Sequence, residues 1–156
     1  MDVAGRKDFK SSRAKTASTG QPPTKKGKRV RVVIADDNPA ILEQISLLIE
    51  TRFDVVGRVH NGRELMEAVQ RLSPSVVVAD ITMPEMDGIE AARRITQTYP
   101  GVKVVILSVH SESAFIDAAF QAGASGYVTK SRAFTELIPA IEAVLAGRQY
   151  CQRGLR

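Results

Sequence analysis

One recurring unit limits what this chain can fold into: a short apolar run stops abruptly on a polar residue, a turn follows, and an apolar stripe at helical spacing comes next. Val32-Val33-Ile34-Ala35 stops at Asp36-Asp37, Val76-Val77-Val78-Ala79 at Asp80, Val102 to Leu107 at Ser108, and Gly126 to Thr129 at Lys130. A further run lies around Asp54 to Val59, before the His60-Asn61-Gly62 turn. Short apolar runs bounded by turn signals read as buried strands. Between them, Ile41, Leu42, Ile45, Leu48 and Ile49 share one helical face, as do Leu65, Met66, Val69 and Leu72. Ile89, Ala92 and Ile95 mark a third helix, Phe115, Ala118 and Ala119 a fourth, and Leu137, Ile138, Ile141, Val144 and Leu145 a fifth.

Asn38-Pro39, Ser73-Pro74, Tyr99-Pro100-Gly101, Gly123 and Gly147 punctuate the pattern as caps and stops. Pro139 is expected in or near the first turn of the last helix, where it either sets the start or makes a small kink. Five strands alternating with five helices predict an α/β domain: a doubly wound parallel sheet with helices on both faces. Right-handed crossovers leave only a few topologies. The unit does not recur a second time, so one domain is expected over residues 30–148, with residues 149–156 as a short tail.

Parallel strands bring their carboxyl ends to one edge, where ligands of open α/β sheets bind. Asp36, Asp37, Asp80, Ser108 and Lys130 then converge. Clustered carboxylates repel unless a cation neutralises them, and an all-oxygen donor set with few carboxylates suits Mg²⁺. With that ion present, Lys130 and Ser108 can each hold an oxygen of a phosphoryl group, and Asp80 is placed to attack it. Singly, each residue also has a plain reading: Asp as a turn or cap residue, Ser as a strand-end hydroxyl, Lys as a solvated charge. Their coincidence at four strand ends favours the site. No Ser-His-Asp set, P-loop or GxGxxG competes, and His60 and His110 read as surface residues on separate loops.

The net charge of +5 is unevenly spread. Ten of the 22 Lys and Arg fall within residues 1–31, against Asp2 and Asp8, so the rest of the chain is mildly acidic. Residues 1–29 lack strand or helix periodicity and are expected to be a disordered basic extension. Such a tail attracts nucleic acid weakly, or is simply solvated. No apolar run approaches the roughly 20 residues of a membrane span, and no apolar signal-peptide core occurs near the start. Cys151 is the sole cysteine, which excludes an intrachain disulfide. A cytoplasmic location without a membrane partner is the expectation.

Taken together, these motifs resemble the receiver domain of bacterial response regulators, across about residues 30–148. Asp36-Asp37 looks like its acidic pair. Asp80-Ile81-Thr82-Met83-Pro84-Glu85-Met86-Asp87-Gly88 resembles its phospho-acceptor loop, D-x-x-M-P-x-M-D-G. Leu107-Ser108 matches its Ser/Thr position, and Gly126-Tyr127-Val128-Thr129-Lys130 its G-Y-[LV]-x-K stretch. Ser131 after Lys130, Ala122 to Gly126 and Ala146 to Tyr150 look most like the NarL/LuxR branch.

The resemblance implies a flavodoxin-like (βα)5 sheet of strand order 2-1-3-4-5. It implies that Asp80 accepts a phosphoryl group from a sensor histidine kinase or phosphotransfer protein, and that the domain is a signalling device rather than an enzyme on a free substrate. Mg²⁺ would be held by Asp36, Asp37, Asp80 and the backbone carbonyl of Thr82, with Asp37 direct and Asp36 assisting through water. Lys130 would pair with the phosphoryl group, and Ser108 would swing to it as Tyr127 turns inward. Thr82 and His110 would tune dephosphorylation.

Homodimerisation is an open expectation. In that branch a DNA-binding domain follows, and only residues 148–156 lie beyond the last helix here. A stand-alone receiver and a truncated transcription regulator both fit, with DNA contacted through the missing domain. A nucleic-acid-binding protein acting through its basic tail is the alternative. A haloacid-dehalogenase-type phosphatase would want a second Asp where Thr82 stands.

Overall fold

The computed structural model describes residues 29–155. Strands β1 (Arg31–Ala35), β2 (Asp54–Val59), β3 (Val76–Ala79), β4 (Lys103–Ser108) and β5 (Gly126–Thr129) alternate with helices α1 (Pro39–Glu50), α2 (Gly62–Leu72), α3 (Gly88–Thr98), α4 (Ser113–Gln121) and α5 (Ala133–Leu145). A 3₁₀ turn, Lys130–Arg132, joins β5 to α5. All pairings are parallel, and the order β2-β1-β3-β4-β5 is the flavodoxin-like one expected. One strand was not expected: β6 (Tyr150–Cys151) pairs parallel with β5 and extends the sheet to six strands.

The period-2 alternation of each strand divides the core. Val33, Ala35, Val77, Ala79, Val104, Ile106 and Tyr127 face α2, α3 and α4, where Leu65, Ala68, Ile95 and Ile116 meet them. Val32, Ile34, Val76, Val78, Val105, Leu107 and Val128 face α1 and α5, against Leu42, Ile45, Ile49, Leu137 and Ile141. Because both faces are covered, the strands read as unbroken apolar runs rather than as alternating ones. β3 is buried at every residue, and each fully buried Val contributes roughly 1.5–3 kcal/mol relative to exposure.

Local chemistry fixes the helix ends. Asn38 Oδ1 accepts from the amides of Ala40 and Ile41, with Pro39 opening the first turn of α1. Asn61 caps α2 through Glu64 N–H, and Asp87 caps α3 through Glu90 N–H. Ser73 ends α2 in the left-handed region (φ 48°), and Pro74 follows it. Gly147 does the same after α5 at φ 86°, which turns the chain back towards the sheet. Pro139 lies inside α5 rather than at its start, so the carbonyl one turn earlier lacks its helical donor. The apolar faces of α5 on β4 and β5 outweigh that loss.

The expectation for residues 1–29 lies outside the described residues apart from Arg29. Its guanidinium donates to the carbonyls of Glu50 (2.8 Å) and Arg52 (3.4 Å), tying the entry of the domain to the end of α1. Among the described residues, no helix is long and apolar enough to cross a membrane.

Ile95 is fully buried where α3 meets the sheet. Ile95→Ala is expected to lower unfolding free energy by roughly 2–5 kcal/mol, measured by urea denaturation at unchanged slope. A loss under about 0.5 kcal/mol, the size of an ordinary surface substitution, would contradict the packing described.

Candidate phosphoryl-accepting site

β1 and β3 lie side by side at the centre of the sheet, so Asp36 and Asp80 leave it together. Asp36 N–H donates to Val59 O and Asp80 N–H to Ala35 O, each at 3.0 Å, continuing the ladders by one residue. β5 delivers Lys130 from two strands away. Its ammonium sits 2.7 Å from Asp36 Oδ2 and 3.2 Å from Asp80 Oδ2. Asp36 and Asp80 are buried, whereas Asp37 is exposed. One carboxylate oxygen from each of the three acids lies within 4.8 Å of the others. The other oxygen of Asp36 accepts from Asn38 N–H at 2.9 Å, so the residue that opens the site also organises the start of α1.

Three carboxylates face one ammonium, and the electrostatics follow. Burial, the largest influence, raises the Asp80 carboxyl above its ordinary value; Lys130 opposes this and the Asp36 charge adds to it. Burial disfavours the Lys130 cation, but its hydrogen bond to Asp36 and the charges of Asp80 and Asp36 outweigh that and raise it. The cluster thus has unmet negative charge, and its donors are all oxygen. A hard divalent cation fits this set.

The acceptor loop is held from below. An ideal Cβ on Gly88 would stand 2.0 Å from Asp80 O, so only glycine lets α3 start against the strand end. Gly88 N–H donates back to Ile81 O at 2.8 Å. An ideal Cβ on Gly62 would stand 2.3 Å from Met86 O, so α2 also closes on the loop. Glu85 adopts φ 72°, a left-handed conformation rare for its type, and its carboxylate meets Arg63 Nε at 2.9 Å. Thr82 is exposed, two residues past Asp80.

Ser108 and Tyr127 form a second group. Both are fully buried. Ser108 Oγ accepts from His110 N–H at 3.0 Å, and Tyr127 O–H donates to His110 O at 2.8 Å. Tyr127 is therefore already inward, where the resemblance implied a turn coupled to phosphorylation. Burial raises its hydroxyl, opposed by the Ser108 hydrogen bond. His110 is half-buried rather than a plain surface residue: its ring stacks on Phe115 with centroids 4.1 Å apart. His60 is exposed and pairs with Glu64.

Sequence reasoning missed Gln152. It is buried, and its Oε1 accepts from both Thr129 N–H (2.8 Å) and Thr129 Oγ1 (2.9 Å), next to Lys130. A lone glutamine in a polar tail carries no signal of such a role.

Residues 32–142 match the response regulator receiver domain. The chain belongs to the response regulator receiver family. It is 36% identical over 124 residues to the transcriptional regulatory protein DegU of Brevibacillus brevis, covering 78% of this chain and 52% of that protein. It is 35% identical over 123 residues to the response regulator GacA of Pseudomonas viridiflava, covering 78% and 58%. The receiver chain thus spans about half the length of these curated relatives.

Among solved structures, a LuxR-family two-component response regulator from Aurantimonas sp. SI85-9A1 superposes with a TM-score of 0.78 at 40% identity, over 82% of this chain and 93% of that one. The isolated receiver domain of RcsB from Salmonella enterica serovar Typhimurium, studied with the phosphomimetic BeF3-, gives 0.76 at 26% identity, over 82% and 96%. The NarL/LuxR branch inferred from the motifs is the one these relatives represent.

A carboxyl raised in the fold contributes stability that is fully present below its unfolded value and is lost as pH rises through the folded one. Asp80→Asn, permanently neutral, is therefore expected to melt above the wild type at pH 7 in EDTA. The gap should close as pH falls towards the ordinary value of 3.8. Equal melting temperatures at pH 7 would refute the strained carboxylate. Gly88→Ala is expected to cost roughly 1–3 kcal/mol in urea denaturation, because the strand end must move; an unchanged midpoint would contradict the close approach.

Proposed function

We propose that Asp80 is the phospho-acceptor of this two-component response regulator receiver domain, supplied by a phosphohistidine on a sensor kinase or phosphotransfer protein. One Asp80 carboxylate oxygen bonds to phosphorus as the phosphorus–nitrogen bond of the donor breaks, and the imidazole leaves with the electron pair. The observation that carries this reading is the buried Asp80 carboxylate, held 3.2 Å from Lys130 beside two further acids.

Asp36, Asp37 and Asp80, with the Thr82 carbonyl, would hold Mg²⁺, which when bound neutralises charge on the phosphoryl oxygens and the acids. Lys130 leaves its pairing with Asp80 to hold one phosphoryl oxygen. Ser108 turns its hydroxyl from His110 N–H to another. Those contacts exist only in the phosphorylated state, so they select it. Tyr127, already inward, then stays anchored on the His110 carbonyl and fixes the β4–α4 loop. Thr82 and His110, on loops following Asp80 and Ser108, tune how water reaches the acyl phosphate.

Output is proposed on the face formed by α4, β5 and α5. DegU, at 36% identity, is a transcriptional regulatory protein, so control of transcription through a DNA-binding region is the output we propose for the protein. The basic residues before Val30 carry a second reading, weak nucleic-acid binding. A salt-dependent gel shift comparing residues 1–156 with 30–156 tests it, and no binding by either removes it.

Acetyl phosphate with Mg²⁺ should add one phosphoryl group to the wild type, read by intact mass, and none to Asp80→Asn. Lys130→Ala should slow labelling at least tenfold. Undiminished labelling of Asp80→Asn would sink the assignment.

A further inference from the structure

We propose that the segment 150–152 is a clamp on the edge of β5 and that Gln152 is a positioning residue for Lys130 and Tyr127. The inference rests on the phospho-acceptor reading above and adds a regulatory element to it.

β5 is a four-residue strand with β4 on one side. On its other side the chain returns after α5 and completes the ladder. Tyr150 N–H donates to Ser125 O at 2.9 Å, and Gln152 N–H to Tyr127 O at 3.1 Å. The Gln152 side chain then turns to the strand's end and takes up Thr129 N–H and Thr129 Oγ1 together. Leu155 N–H closes a turn on Gln152 O at 3.2 Å, which holds the glutamine in place. Tyr150 O–H donates to Glu136 of α5, so the clamp is fastened to the helix as well.

These contacts fall on Tyr127, which the switch uses, and on Thr129, the residue before Lys130. Tyr127 is gripped at its carbonyl while its hydroxyl reaches His110. Thr129 is gripped twice, and the next residue sends its ammonium to Asp36 and Asp80. A residue attached to a fixed strand end has fewer positions available than one on a frayed strand end. Ordering β5 from its outer edge therefore favours Lys130 in the place where it meets a phosphoryl oxygen. Gln152 is buried, and removing its oxygen leaves Thr129 N–H without a partner.

Linkage makes the proposal reciprocal. If docking of 150–152 favours phosphoryl binding, occupancy of the site must favour docking by the same factor. The clamp thereby carries the state of Asp80 to the stretch of chain leaving α5.

The test uses the full chain with beryllofluoride and Mg²⁺ as the phosphoryl mimic, titrated by fluorine NMR. Gln152→Met keeps the unbranched stem and removes the accepting oxygen. It should weaken beryllofluoride binding by about threefold to tenfold, the scale of one hydrogen bond. Val56→Ala, on β2 at the opposite edge, provides a control of comparable destabilisation, with each Tm recorded and all titrations run well below it. In the wild type, saturating beryllofluoride should slow amide exchange at Thr129, Tyr150 and Gln152, and in Gln152→Met that slowing should be lost.

Wild-type affinity in Gln152→Met, equal weakening in Val56→Ala, or exchange at these three amides indifferent to beryllofluoride would each overturn the clamp. Failure of the wild type to bind beryllofluoride, together with equal labelling of Asp80→Asn, would instead overturn the phospho-acceptor reading beneath it.

Discussion

An ammonium shared between two buried carboxylates is the interaction on which the rest of this domain turns. Lys130 meets Asp36 and Asp80 at 2.7 and 3.2 Å, and these residues each follow the end of a different strand. A buried carboxylate without a partner would cost several kcal/mol, so the three strand ends have to arrive together. The fold supplies this by making every pairing parallel, which sends β1, β3 and β5 to the same edge. Yet one ammonium cannot balance three acids. The residual charge keeps the site short of neutral, and a group that brings or redistributes positive charge finds it ready.

Much of this was legible in the sequence because its signals are local. Runs such as Val76 to Ala79 are apolar at every position since both sheet faces are covered, and their ends are marked by a charge. Five strands, five helices and the edge on which Asp36, Asp37, Asp80 and Lys130 meet all follow from that periodicity. What escaped depends on contacts between distant residues. Tyr150-Cys151 is two residues long, too short for a period to register, and pairs only because β5 offers an open ladder. Gln152 looks like any solvated tail residue until Thr129 is seen beside it. Pro139 violates a local rule of helices and is tolerated because Leu137, Ala140 and Ile141 are fully buried around it. Adjacent acids posed a different problem: nothing in Asp36-Asp37 says which points inward, and burial separates them, Asp36 inside on Lys130 and Asp37 exposed.

The acceptor loop shows how rigidity is divided. On its lower side Gly62 and Gly88 permit backbone contacts that any side chain would block, and Glu85, paired with Arg63, adopts a left-handed conformation. On the opposite side of the site, Ser108, His110 and Tyr127 are joined by two hydrogen bonds that pass through backbone atoms of one loop. The first arrangement fixes Asp80 in place. The second rests on one serine and one tyrosine hydroxyl rather than on backbone contact alone.

The two margins of the sheet bear on how the domain can associate. β6 is only two residues long, and β2, at the far margin, carries exposed Asp54 and Arg58 and a register shift opposite Val32 and Val33. Short strands, outward charges and irregular pairing all discourage another chain from adding itself as a further strand. Assembly by β-augmentation is thereby suppressed at both margins. Helices and loops are left as the surfaces on which another chain can dock.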